Sequence, residues 1–211
     1  LLAGSNSWSL ALAEQVRSLD LPVTICDTSW ERLSGPRQAG IPTYHGEILA
    51  ESTEERLDIT QFQVLVATSQ NEAYNALVCN EFAPDFGRDS VYQLGGTGDD
   101  EDHRSLPEAL QGRAVFTSGI GVEEIIQRER EGWTFRKTRI SDQFDFKDAQ
   151  ATLPDEANML FLLSKDGRIR FFTHATRPTP QPGDVMISYG PSRHGTAGQP
   201  KAAQKNKEAK A

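Results

Sequence analysis

The first nine residues have the types and spacing of a phosphate-binding turn. They read Leu-Leu-Ala-Gly-Ser-Asn-Ser-Trp-Ser, which predicts a short strand, a turn of small residues and the start of a helix. Asp27 follows at the end of a second apolar segment, residues 23–26. Such a layout places a phosphate on helix N–H groups and a ribose on a carboxylate. The motif is incomplete, because of its three glycines only Gly4 is present, with Asn6 and Ser9 at the other positions. The first βα unit of a ligand-free parallel sheet would read the same way.

Polar residues also stand at the ends of four predicted strands. These are the first four of five strands expected at residues 1–3, 23–26, 41–45, 64–68 and 90–94. Ligands of open α/β sheets bind beyond the carboxyl ends of the strands, so these polar residues should meet in one nucleotide pocket. The candidate binding residues are Gly4, Ser5, Asn6, Ser7, Trp8, Asp27, Thr28, Gly46, Glu47, Ile48, Thr68, Ser69, Asn71 and Asn75.

Most of these residues also have a purely structural interpretation. Ser7 and Asn71 are suited to cap helices, and Asp27 could cap a helix that begins near residue 29 instead of binding ribose. Trp8 is more typical of packing than of stacking on a base. Asn75 has no reason of helix propensity for its position, so it favours a role in function.

The order of the predicted elements indicates the fold class. Helices are expected at residues 7–19, 29–39, 51–57 and 71–82, alternating with short apolar strands that suit a sheet covered on both faces. Residues 1–94 are therefore predicted to form a Rossmann-like, doubly wound parallel sheet. Gly35 and Pro36 should break or kink the second helix.

The rest of the chain changes character. Residues 95–112 form a glycine-rich, acidic linker, and residues 113–190 predict a small, β-rich α+β companion domain. A strand is possible at 114–117, a helix is expected at 121–131, and strands follow at 133–140, 159–164, 169–174 and 185–189. Lys165-Asp166-Gly167 predicts a hairpin turn, and residues 191–211 predict a disordered basic tail.

Composition narrows the classes of function. The 211-residue chain has a formal net charge of −8, which argues against a nucleic-acid surface. Its two cysteines, Cys26 and Cys79, lack ligand-like neighbours and predict neither a metal site nor a disulfide. No apolar run approaches the roughly 20 residues of a membrane span.

Several longer segments resemble a known family. They are Tyr-His-Gly-Glu at 44–47, Thr-Ser-Gln-Asn-Glu-x-x-Asn at 68–75, Ala-Gly-x-Pro-x-Tyr-His-Gly at 39–46 and Phe-Ala-x-Asp-Phe-Gly-Arg-x-x-Val-Tyr-Gln-Leu at 82–94. With the first turn and Asp27, they resemble the RCK (TrkA-N) nucleotide-binding domain that regulates potassium conductance. Within that group, they are similar to the cytoplasmic C-terminal portion of bacterial sodium/proton antiporters. The Pro-Gly-Asp turn at 182–184 is similar to that of the family's small β-rich domain.

The resemblance implies a regulatory domain and not an enzyme. It implies a module on the cytoplasmic side of the bacterial inner membrane that senses NAD or an adenine nucleotide (AMP, ADP or ATP) and modulates exchange of sodium or potassium for protons. It also implies a homodimer and a transmembrane antiporter domain preceding Leu1. Asn6, where the family has glycine, is expected to hinder a dinucleotide more than a mononucleotide. Glu47, where the family has aspartate, keeps the negative charge on a longer side chain.

Two alternatives remain at this stage. The chain could be a dimerisation scaffold with a vestigial pocket that binds nothing. It could also be an NAD-dependent oxidoreductase, although no tyrosine has a lysine four residues later to help it donate a proton.

Overall fold

The first body of the protein is a six-stranded parallel sheet. The computed structural model describes residues 1–95, 111–116, 119–173 and 176–192. Every strand pairing in this sheet is parallel, and the spatial order is β3-β2-β1-β4-β5-β6. The strands are β1 (Leu2–Ala3), β2 (Ile25–Asp27), β3 (Thr43–His45), β4 (Leu65–Ala67), β5 (Val91–Gln93) and β6 (Arg113–Ala114). This order is that of the predicted Rossmann-like fold. Strands β2 and β3 lie on one side of β1, and β4, β5 and β6 lie on the other side.

Helices cover both faces of the sheet. They are α1 (Ser7–Arg17), α2 (Ser34–Gln38), α3 (Glu51–Glu54) and α4 (Glu72–Phe86), with 3₁₀ turns at Ile59–Gln61 and Arg88–Ser90. Neighbouring residues of one strand enter different cores: Val66 joins the cluster around α1, while Leu65 and Ala67 join the cluster around α4. Because both faces are buried, these strands contain apolar residues without polar alternation.

Two helices differ from the prediction. Residues 30–33 form turns and α2 begins only at Ser34, so the predicted break of a longer helix at Gly35-Pro36 is wrong. Pro36 lies in the first turn of α2, where a helix does not need the missing N–H group. Helix α4 continues to Phe86, past the predicted end at residue 82, because Ala83 and Phe86 still pack on the core.

The second body is a four-stranded antiparallel sheet in the order β7-β10-β8-β9. Its strands are β7 (Trp133–Arg139), β8 (Asn158–Leu163), β9 (Ile169–Phe171) and β10 (Val185–Pro191); α5 (Val122–Arg130) precedes them, and α6 (Phe146–Ala151), which the sequence did not predict, lies between β7 and β8. The predicted hairpin at residues 165–167 is confirmed, since β8 and β9 are antiparallel neighbours.

Aromatic contacts hold the two sheets together. Tyr92 of β5 stacks on Phe171 of β9 with ring centroids 4.2 Å apart. Trp8 of α1 packs against Phe135 of β7 at 5.7 Å and Tyr189 of β10 at 6.5 Å. The parallel sheet also takes β6 from beyond residue 94, the predicted end of the first domain.

Parts of the predicted linker and tail, residues 96–110 and 193–211, lie outside the described residues. Among the helices of the described ranges, none has both the length and the apolar character needed to cross a bilayer.

Candidate functional site

A cavity of about 320 Å³ opens at the carboxyl ends of β1, β2, β3 and β4. That volume lies at the lower end of the range for small-molecule pockets, roughly 300–1,000 Å³. Eight predicted site residues line it: Gly4, Asp27, Thr28, Gly46, Glu47, Ile48, Ser69 and Asn71. The other six candidates do not line the cavity: Ser5, Asn6, Ser7, Trp8, Thr68 and Asn75. The structure therefore brings four strand ends together as the sequence predicted, while the binding role of each residue stays a prediction.

The turn after β1 requires glycine at position 4. Gly4 has φ of +115°, and a Cβ atom built there would lie 2.7 Å from the Ser69 backbone nitrogen. Thr68 fixes the same approach, since its hydroxyl donates to the Gly4 carbonyl at 2.6 Å. The floor of the cavity is therefore formed by backbone of two neighbouring strand ends in close contact, which any side chain at position 4 would push apart.

Asp27 is buried at the end of β2 and braces the turn. Its Oδ2 accepts from the Ser5 backbone N–H at 2.8 Å, and its Oδ1 accepts from the Ser29 N–H at 2.7 Å. The Arg32 guanidinium lies 3.9 Å from Oδ2. Each carboxylate oxygen has a second lone pair, so Asp27 can still accept a ribose hydroxyl while it holds the turn.

Asn6 has a structural role that the sequence analysis missed. It is the N-cap of α1, where Ser7 had been the candidate: Oδ1 accepts from the Ser9 N–H at 2.8 Å, and Nδ2 donates to the Thr68 carbonyl at 2.7 Å. Both ends of the side chain are engaged, and Asn6 does not line the cavity. The expectation that it obstructs a dinucleotide is therefore corrected: the amide ties α1 to the end of β4.

Asn75 likewise positions the wall of the cavity from behind. It is fully buried, its Oδ1 accepts from the Ser69 N–H at 2.9 Å, and its Nδ2 donates to the carbonyls of Ser69 (2.9 Å) and Leu94 (3.3 Å). Asn71 caps α4 by accepting from the Tyr74 N–H at 3.0 Å. The loop after β4 is thus held by two asparagines, and Ser69 and Asn71 face the cavity.

Five residues that line the cavity were not among the candidate binding residues: Ala3, Cys26, Arg32, Gln70 and Tyr74. The Tyr74 hydroxyl donates to Glu47 Oε1, and burial, with this hydrogen bond, raises the pKa of Tyr74 above its usual value. Tyr74 lies three residues after Asn71, one turn along α4, and that helical spacing could have revealed it. Arg32 lies in turns where the sequence pattern predicts a helix, so nothing in that pattern points to a place in the cavity.

The side chains of Trp8 and Ser7 do not line the cavity. Trp8 is fully buried between the two sheets, as its packing interpretation predicted. The Ser7 hydroxyl donates to Glu129 of α5.

The cavity has a mixed charge. Asp27 and Glu47 contribute carboxylates, and Arg32 is the one cation among the lining residues. Cys26 also lines it, but burial raises the pKa of this thiol to about 12, which removes the thiolate needed for nucleophilic chemistry. Within the described residues, His, Cys, Asp and Glu side chains form no group able to hold a metal ion.

One family model matches the chain. It is that of the TrkA-N domain, and it covers residues 1–87, which run from β1 to the end of α4 and contain every residue that lines the cavity. No curated protein matches the chain.

Proposed function

We propose, from the TrkA-N-type domain over residues 1–87, that this chain is the regulatory nucleotide-binding part of a monovalent cation/proton antiporter. TrkA-N domains bind NAD(H) generally and imply regulation in cation transport systems. In this proposal the domain works as a homodimer at the cytoplasmic face of a bacterial membrane and is joined to a transmembrane antiporter domain. NAD(H), AMP, ADP or ATP biases the exchange of Na⁺ or K⁺ for H⁺.

The observation that carries the proposal is the position of Asp27. A buried carboxylate at the carboxyl end of β2 borders a cavity that also includes the glycine turn after β1. A ribose seated on Asp27 would direct the attached phosphate toward the first turn of α1. The amides of Ser7 and Trp8 lie in that turn, where a helix provides no internal acceptor for its N–H groups.

Ligand binding can regulate transport only if it distinguishes two arrangements of the assembly. A nucleotide that binds one arrangement of the domain dimer more tightly shifts the equilibrium by that difference in affinity. The parallel sheet that carries the cavity packs directly on the antiparallel sheet through aromatic contacts, so a shift at the cavity can be transmitted to the second sheet.

The cavity supports a regulatory role over dehydrogenase chemistry. Tyr74 is the one tyrosine that lines it, and its hydroxyl is bound to Glu47 with a raised pKa. A phenol held in this way is a poor proton donor at neutral pH, because a catalytic acid works best with a pKa near the operating pH.

One observation favours a second candidate, a scaffold with a vestigial pocket. Both oxygens of Asp27 already accept backbone N–H groups, so the carboxylate is needed for the fold even without a ligand. Binding measurements separate the two functions.

The first experiment is calorimetric titration of the chain with AMP, ADP, ATP, NAD and NADH. Asp27→Asn should weaken binding of the preferred nucleotide by about 10- to 150-fold, because a hydrogen bond to a charged group is worth about 1.5–3 kcal/mol. Asp58→Asn is the matched control, since Asp58 also accepts a backbone N–H, that of Thr60, but lies outside the cavity. Equal affinity in the two variants would contradict the ribose assignment, and no binding to the wild type would support the scaffold.

The second experiment uses the antiporter that contains this chain, reconstituted in vesicles. The preferred nucleotide should change the rate of Na⁺/H⁺ or K⁺/H⁺ exchange. Asp27→Asn should shift the nucleotide concentration at which that change occurs while leaving maximal exchange intact. An exchange rate that does not change with any of these nucleotides would contradict the regulatory role.

A further inference from the structure

A carboxylate from outside the TrkA-N-type domain stands at the start of α1. The hydroxyl of Ser7, the first residue of the helix, donates to Oε2 of Glu129 at 2.5 Å across 122 residues of sequence. Glu129 belongs to the last turn of α5, which connects the parallel sheet to β7 of the antiparallel sheet. The contact therefore joins the edge of the proposed nucleotide site to the second body of the protein.

The same helix end is where a nucleotide phosphate would bind. The Ser9 N–H is already taken by Asn6, which leaves the first-turn amides of Ser7 and Trp8 without an acceptor inside the helix. The positive end of the helix dipole favours one negative group at this place, and two such groups repel each other. A phosphate on these amides and the Glu129 carboxylate on the Ser7 hydroxyl would thus repel each other at the same helix end.

Two buried donors beside Glu129 are left without a partner. Within the described residues, Tyr189 Oη and Arg128 Nη1 make no hydrogen bond. Tyr189 is 1% exposed, and burial, followed by the negative charge of Glu129, raises the pKa of its phenol. Arg128 stacks over Trp133 at 4.4 Å, and Trp133 packs against Tyr189. Buried donors usually have an acceptor, so these two are able to receive a carboxylate that moves away from Ser7.

We propose that Glu129 sets the affinity of the nucleotide site for phosphate. In this structure its carboxylate accepts from the Ser7 hydroxyl, and when a phosphate binds at the first turn of α1 the carboxylate leaves Ser7 and accepts from Tyr189 and Arg128 instead. This inference rests on the proposed function and adds a specificity-determining residue outside the cavity. By linkage, a phosphate-bearing ligand weakens the Ser7–Glu129 contact by the same factor that the contact weakens the ligand.

The test compares adenosine, AMP and NADH in calorimetric titrations of three variants. Glu129→Gln should tighten binding of AMP and NADH on the order of three- to tenfold, because repulsion near a helix terminus is relieved, and leave adenosine unchanged. The matched control is Glu131→Gln, which removes the same charge two residues away, where the side chain contacts Gln127 and not α1. It should leave all three affinities within about twofold of the wild type.

The third variant tests the second position of the carboxylate. Tyr189→Phe removes a hydroxyl that makes no hydrogen bond to any of the described residues, so the free energy of unfolding should not fall. AMP and NADH should nevertheless bind more weakly, since the displaced carboxylate loses its new donor, and adenosine should bind as before. A purely structural role of Tyr189 would change the three affinities equally or not at all.

The outcomes separate this inference from the proposed function. If AMP binds the wild type and Glu129→Gln with equal affinity, or if adenosine gains as much as AMP, the role of Glu129 is wrong and the nucleotide site stands. If none of the three ligands binds the wild type or any variant, the proposed function itself fails.

Discussion

Replacement of Gly4 by alanine tests the architecture of the site most sharply. A methyl group there would lie 2.7 Å from the Ser69 nitrogen and 2.9 Å from the Thr68 carbonyl carbon, both backbone atoms that cannot rotate away. The φ of +115° adds strain of about 1–2 kcal/mol. Forcing an extra carbon into packed structure adds about 1–3 kcal/mol. We therefore expect Gly4→Ala to lower the free energy of unfolding by about 2–5 kcal/mol.

Urea unfolding of Gly4→Ala and Gly167→Ala separates strain from collision. Gly167 has φ of +79°, but a Cβ atom there would meet nothing within 4 Å, so Gly167→Ala should cost only the strain, about 1–2 kcal/mol. The difference between the variants measures how closely β1 and β4 approach. If Gly4→Ala costs no more than Gly167→Ala, the close backbone contact under the cavity does not exist.

Three further predictions concern single side chains. Between pH 9 and 12 the free energy of unfolding should fall by about 1.4 kcal/mol per pH unit for each of Cys26 and Cys79, because burial raises the pKa of both thiols to about 12 and the folded protein keeps protons that the unfolded chain loses. The double variant Cys26→Ala with Cys79→Ala should show a flatter pH profile in urea unfolding, and an unchanged slope would contradict the assignment. Asn75→Ala should cost about 2–4 kcal/mol, because it leaves buried backbone groups without partners; a loss below about 1 kcal/mol in urea unfolding would refute the bracing role. Asn6→Gly should cost about 1–2 kcal/mol through the lost hydrogen bonds without improving NADH affinity, and tighter NADH binding in a titration would restore the view that Asn6 obstructs.

The parallel sheet could be predicted because its signals are local. Short apolar runs such as residues 64–67, each followed by polar residues, specify strands buried on both faces whatever they pack against. Helix ends were less predictable. The ends of α2 and α4 depend on tertiary packing and on where Pro36 and Pro84 fall within a turn, which periodicity does not show.

The site divides in the same way. Asp27 and Gly4 could be identified because each comes at the end of a predicted strand, where ligands of parallel sheets bind. The bracing roles of Asn6 and Asn75 could not be predicted, since an amide that binds phosphate and an amide that binds a neighbouring carbonyl look alike in sequence. Contacts across long separations, such as Ser7 with Glu129, leave no local signal.

The central claim is that a nucleotide occupies the cavity at the carboxyl ends of β1 to β4. Hydrogen–deuterium exchange of the chain with and without saturating NADH or AMP tests it directly. Protection should concentrate in the peptides that contain Gly4, Asp27, Gly46 and Ser69, because these residues line one cavity on four different loops. Protection confined elsewhere, or no change in these four loops at ligand concentrations that saturate binding, would contradict the account.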